Sequence, residues 1–530
     1  MKRTTISLLA TAAALAAVTG VAALTAPDGG AATDAKAPAR LPVERSSLLC
    51  PAPSSSEVAE TGYTSFTPVG TAGDAKDGTA ELKPSTAVLA DPDTAPKKDD
   101  ATTDGAKKDG AKNGDAAKGD AAKGAKKPAP GKPVLALKEP GKPVAAKAEG
   151  GDAPALVGTA TGRLAPGWTT QQTTTVTAGG SRGLLGLSCT GPDTDFWFPG
   201  ASTAEDRQDY VHLTNPDDTA AVADIELYGK DGALKTTLTE GIPVPAGSSV
   251  PVLLSTLTAA EPAADVTVHV TTRTGRVGAV VRAADDKAGS DWLTASADPS
   301  GTAVLPGIPA DATSVRLVAF APGDDDADLK VQLAGAGGRI TPAGHETLHV
   351  KSGMTASVDL LDVTKGEAGS LILSPSQSGR ATPVVAALRV VRGKGDKQEV
   401  AYIPATAPVG ARATAADNRA KGSTLSLTAP GATAQVKVTA SAGTQGGTQV
   451  VKTYTVKAGT TLAVTPPVPA GLKGSYALTV ETESGGPVHA SRTLALPQDG
   501  ISMFTVQTLP DDRGTVAVPD AEQDLSVLDD

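Results

Sequence analysis

The chain reads as all-β: tandem immunoglobulin-like β-sandwich repeats of about 106 residues, with an N-terminal export helix and a disordered insertion. Three observations predict it. From about residue 200, short Val/Thr/Leu runs of alternating polarity sit between Gly, Pro, Asn and Asp clusters, as antiparallel strands with one solvated face require. The pattern then recurs, opening with "VHLTNPDD" (211–218), "VRLVAFAPGDDD" (315–326) and "LSLTAPG" (425–431) and placing a turn glycine at 247, 353 and 459. Each copy closes on an arginine, Arg282, Arg389 or Arg492, followed by a strand with an aromatic residue at Trp292, Tyr402 or Phe504.

In chain order, residues 1–40 read as an export signal or membrane anchor plus linker. Met1-Lys2-Arg3 precedes an apolar run from Ile6 to Leu24 and then a polar stretch. The run approaches bilayer-spanning length, so cleavage and retention both stay open. Membrane contact is expected through residues 6–24 alone, with everything after them on the export side: secreted, or anchored to the outer face of the cytoplasmic membrane.

Residues 41–200 read as a first sandwich copy interrupted by a tether, 74–152. There, glycines at 105, 110, 114, 119 and 124 break up an Ala/Lys/Asp stretch, and no apolar face offsets the roughly 1 kcal/mol that each glycine costs a helix. Residues 182–198 align with the end of the next copy, and Leu49-Cys50-Pro51 with Thr214-Asn215-Pro216. Residues 201–295, 296–405 and 406–515 are then three further sandwiches, and 516–530 an acidic tail.

The chain has two cysteines, and in an oxidising compartment that count predicts a Cys50–Cys189 disulfide; the alternative is two reactive thiols. Phe196, Trp197 and Phe198 stand in a row, although 530 residues hold just three Trp, six Tyr and five Phe. They are expected to pack the junction between the first copy and the next. A net charge of −10 and a pI near 5.2 argue against nucleic acid as a partner.

Several motifs resemble catalytic ones without their setting. "HETLH" (345–349) matches the zinc-protease pattern, whose two histidines share a metal from one face of a helix. The repeat puts it on a strand, where they would stand about 13 Å apart. "GGSRG" (179–183) fits a nucleophile elbow, yet it lies between two strands and reads as a hairpin turn. Asp324, Asp326 and Asp328 are spaced by two but lack the order of a calcium loop, and read as a solvated turn. The recurrent arginines are expected to lay their stems along the sheet and pair with a local carboxylate or carbonyl. Trp168, Trp197 and Trp292 are expected in cores, with Trp197 and Trp292 as the candidate glycan contacts if their rings are exposed.

The stretch running from "DFWFPGASTAEDRQDYVHLTNPDD" through "VPAGSSVPVLL" to "VGAVVRA" resembles a repeat of exported actinobacterial proteins. More broadly, residues 41 to 515 are similar to an exported actinobacterial family catalogued as a domain of unknown function. That resemblance implies no catalytic residues. The expectation is a non-catalytic exported scaffold or interaction protein of the cell envelope, with no catalytic, metal or cofactor-binding residues and no cofactor. Its partner would be an unidentified envelope protein or cell-wall glycan; the alternative is a cell-wall glycan-binding protein, and an exported hydrolase is disfavoured.

Overall fold

Pairs of antiparallel sheets account for nearly all the regular structure in the computed structural model, which describes residues 39–70, 77–87, 131–238, 240–377 and 381–518. Among the described residues the helical elements are three single 3-10 turns, at Gly162–Leu164, Leu254–Thr256 and Gly395–Lys397. The chain divides into two units, 42–515 and a small one comprising 1–41 and 516–530. In the small unit, strand Ala39–Pro42 pairs with strand Thr515–Val518. Residues 6–24 and 519–530 lie outside the described residues.

One strand order recurs four times in the large unit. In the second sandwich the outer sheet runs Asp195–Ala201, Val266–Thr274, Ala221–Gly229, with Ile242–Val244 at its edge. Its inner sheet runs Gly289–Leu293, Gly278–Asp285, Tyr210–Thr214, Ser248–Leu253. The third sandwich repeats this from the opening strand Ala303–Ile308 to the closing strand Glu399–Pro404, and the fourth from Ala413–Asn418 to Phe504–Thr508. The first opens on Arg45–Cys50 and closes on Gly183–Ser188. The glycines at 247, 353 and 459 adopt φ of 58°, 67° and 70°, a left-handed turn that side chains resist.

Each sandwich fills with Val, Leu and Ala from the inward-facing positions of both sheets, typified by Val211, Leu213, Val268 and Val281 in the second. In the first, Trp168 is buried, and its Nε1 donates to Ser65 Oγ at 2.8 Å. Cys50 and Cys189 form the expected disulfide, with Cα atoms 4.7 Å apart, and it joins the opening strand of one sheet to the end of the closing strand of the other. Its partners are 139 residues apart in sequence, so fixing that loop removes roughly 5 kcal/mol of unfolded-chain entropy.

The structure corrects three expectations about layout. Strands Ala80–Pro84, Leu135–Leu137 and Val144–Glu149 fall inside the 74–152 tether. They are too short to register beside the Gly/Lys stretch, yet the two sheets of the first sandwich are incomplete without them. Residues 74–76 and 88–130 lie outside the described residues. Second, Asp195–Ala201 opens the second sandwich instead of ending the first: Phe196 and Phe198 enter the second core, and Trp197 stacks on Phe320 of the third sandwich at 5.3 Å. Third, Gly183–Ser188 occupies the place of Gly289–Leu293, one strand later than the sequence alignment put it, and Arg45–Cys50 that of Asp195–Ala201. Strand Thr515–Val518 runs from the end of the fourth sandwich into the 516–530 tail.

The four sandwiches close head to tail. The opening strand of the second packs on Val385–Arg392 of the third, that of the third on His489–Ala495 of the fourth, and that of the fourth on Thr169–Val176 of the first. The circle is completed where Leu49 lies against Gly278 of the second, so close that a Cβ there would sit 2.8 Å from Leu49 Cδ1. At the centre the four closing strands meet in turn, first to second, second to third, third to fourth and fourth to first.

Candidate functional site

The closing strands bring two buried carboxyls to the hub of this circle. Glu399 begins the third closing strand and Asp291 sits in the middle of the second, and both are fully buried. Each accepts a backbone N–H from the first sandwich's closing strand: Leu184 donates to Glu399 Oε1 at 2.8 Å and Gly186 to Asp291 Oδ1 at 3.0 Å. Those amides lie two residues apart on the free edge of a sheet, where unpaired N–H groups would otherwise be buried. Asp291 Oδ1 also accepts from its neighbour's amide, Trp292 N, at 2.8 Å and from Thr505 Oγ1 of the fourth sandwich at 3.2 Å. Glycine at 186 allows this approach, because a Cβ there would stand 2.0 Å from Gln507 Nε2 and 2.4 Å from Thr505 Cγ2 and would displace both side chains.

Burial pushes the Glu399 carboxyl up to about 8, against the lowering pull of the Leu184 amide, Arg182 and Arg392. It lifts Asp291 well above the carboxylate range, and the Glu399 charge adds to the rise. The second oxygen of each, Oε2 and Oδ2, has no hydrogen-bond partner, so a charge there would be uncompensated and burial favours the neutral form.

The recurrent arginines serve the seams between sandwiches. Arg389 Nη2 of the third donates to Asp285 Oδ2 of the second at 2.6 Å. Arg492 of the fourth, fully buried, donates to Gln171 Oε1 of the first at 2.8 Å, and burial lowers its guanidinium to about 10. Arg282 instead lies over the Tyr210 ring of its own sandwich, 5.2 Å from the centroid. Two of the three thus reach a neighbouring sandwich, where a local partner was expected, because the strands that carry them stand beside another sandwich. Around the same seams, Arg207 binds Asp209 at 2.7 Å and Tyr402 Oη at 2.9 Å, and Thr173 donates to Asp417 Oδ2 at 2.9 Å.

A concave acidic surface lies on the third sandwich. Asp324, Asp325, Asp326, Asp328, His349, Ser376, Gln377 and Thr382 of the third sandwich line an open cup of about 540 Å³. His349 bonds Asp328 Oδ1 through Nδ1 at 2.8 Å, while the Asp326 carboxylate accepts from Ser352 N at 2.9 Å. Among the described residues no group of three or more His, Cys, Asp or Glu is placed to hold a metal ion. The cup can attract a cationic group through partly solvated carboxylates.

The other sequence motifs resolve simply. His349 lies on strand Thr347–Val350, whereas His345 falls in the preceding turn, its amide bonded to Pro342 O at 3.0 Å. That corrects the expectation of two strand histidines, since Pro342 and Gly344 delay the strand. "GGSRG" is the hairpin turn between Thr169–Val176 and Gly183–Ser188. Trp197 is 9% and Trp292 2% exposed, so neither candidate glycan contact offers a free ring face. The first is sandwiched between His269, at 3.6 Å, and Phe320, and the second packs on Leu185, Leu187 and Val280.

Sequence reasoning missed Asp291 and Glu399. Their signal was a lone acid within a run that is otherwise apolar or small, in "GSDWL" and "EVAYIP", which on a sheet strand asks for a buried donor.

No curated protein and no solved structure matches the chain. Among the described residues no helix is long and apolar enough to cross a membrane. A family model described as a family of unknown function, DUF5719, matches residues 144–467, which begin in the first sandwich and run into the fourth. The chain therefore belongs to the DUF5719 family.

Proposed function

We propose that this chain is an exported, non-catalytic scaffold or interaction protein of the cell envelope, built from immunoglobulin-like sandwiches. The observation that carries this reading is the use made of its buried ionisable groups. Asp291, Glu399, Arg389 and Arg492 each bond to another sandwich, so their chemistry is spent on holding four units in one body. The disulfide supports an oxidising compartment, and the resemblance to exported actinobacterial proteins agrees with it. The glycan-binding alternative loses its two tryptophan platforms to burial.

Cell fractionation with thiol alkylation tests the proposal, coupled to retention of the chain on isolated cell-wall glycan. The chain is expected in the envelope or the medium, with Cys50 and Cys189 unreactive until reduced, and cross-linked in cells to envelope protein. A cytosolic chain with free thiols overturns export, and saturable retention on protein-free wall glycan overturns the scaffold reading in favour of a glycan binder.

A further inference from the structure

The outer sheets of the four sandwiches end on edge strands of unequal character. In the second the edge is Ile242–Val244, three residues with Pro243 at the centre; in the third it is Thr347–Val350, where His349 is paired with Asp328; in the first it is Leu135–Leu137. In the fourth it is Val450–Val456, seven residues reading "VVKTYTV", with no proline and one charge. It pairs along one side with Ala434–Gly443, and among the described residues no strand pairs with its other side. Strand Ala470–Lys473 covers the preceding Gly446–Thr448 and stops there. Soluble proteins ordinarily blunt such edges with proline, charge or brevity, as the other three sandwiches do here. The fourth leaves one open.

We propose that Val450–Val456 pairs antiparallel with the same strand of a second copy of this chain, about a two-fold axis through Thr453. Centred there, Val450 faces Val456, Val451 faces Thr455, Thr453 faces itself, and Lys452 faces Tyr454. The Val–Val, Val–Thr and Thr–Thr pairings are β-branched, the kind that stabilises neighbouring strands, and the remaining one sets Lys452 beside the aromatic Tyr454. Within one copy Lys452 Nζ lies 4.8 Å from the Tyr454 ring centroid, so this strand already sets an ammonium beside that ring. Centring on Lys452 instead would oppose two ammonium groups. The register also keeps Tyr454 and Val456, both buried, on the core side in both copies, with Val451, Thr453 and Thr455 outside. Two outer sheets thus become one continuous sheet, through the self-complementary contact of a two-fold dimer.

The test is sedimentation velocity of the full chain beside its Thr453→Lys variant, with far-UV circular dichroism and thermal melting as folding controls. Thr453 is exposed, so the variant keeps its fold, but it sets two like charges face to face across the axis. The expected result is a concentration-dependent dimer that the variant weakens by roughly tenfold or more. In parallel, Thr453→Cys is expected to cross-link on mild oxidation, since opposed strand residues lie about 4.5–5.5 Å apart. A wild-type chain that is monomeric at high micromolar concentration overturns the proposal, even if its edge accepts an unrelated peptide. A dimer that Thr453→Lys leaves intact and Thr453→Cys fails to cross-link overturns it equally.

Discussion

The hub and the cup are both acidic, and they behave as opposites. At the hub, two carboxyls are shut away from water and hold backbone amides of a third strand; at the cup, four aspartates face solvent around His349. The same residue type is structural in one place and a charged surface in the other because desolvation decides which protonation state survives. Sequence spacing makes the cup conspicuous and hides the hub. The energetics run the other way.

Three measurements break or sharpen that contrast. Asp291→Ala leaves Gly186 N, Trp292 N and Thr505 Oγ1 without their acceptor, and chemical denaturation is expected to show a loss of about 3 kcal/mol or more. The same change at the exposed Asp326 is expected to cost under about 1 kcal/mol; equal losses would erase the distinction.

Next comes pH. With its folded value raised from 4.5 to about 8, Glu399 stays protonated in the folded chain after the unfolded chain has ionised. Its contribution is fully present below the unfolded value and drains away as pH rises towards 8, at up to roughly 1.4 kcal/mol per pH unit. Glu399→Gln is expected to flatten that slope in denaturation midpoints measured across pH 5–8; an unchanged slope would deny the buried carboxyl this role.

The smallest effect concerns Arg492, whose Nε and Nη1 find no protein partner in a buried seam. Replacement by Met is expected to be neutral or stabilising by about 1 kcal/mol, read as a thermal shift, because a buried charge with incomplete bonding returns little of its desolvation cost. A large destabilisation would make this arginine a true clasp.

The all-β class, the glycines at 247, 353 and 459 and the Cys50–Cys189 link were legible because each rests on local pattern or on counting. Their signals are period-two alternation, left-handed turns and an even cysteine number. The strands flanking residues 88–130 were not, since three-residue and six-residue segments such as Leu135–Leu137 and Val144–Glu149 carry too little periodicity to stand out against Gly and Lys. Phe196-Trp197-Phe198 announced a packed junction, but sequence could not say which one. Trp197 meets Phe320, a contact between residues more than a hundred positions apart, and no local rule reports that. The hub was invisible for the same reason, because a lone acid in a strand acquires meaning only when a neighbouring strand presents its amide.

Arg492 and Gln171 are separated by 321 positions, and this fixes an order of events. A chain leaving the ribosome or an export channel from its N-terminus can assemble each sandwich as it emerges, but the last buckle waits for nearly the whole length. Until then Thr169–Val176 has a bare flank, and any version ending before residue 413 keeps it bare for good. Premature termination or clipping within the fourth sandwich should therefore expose the first, at the opposite end of the gene.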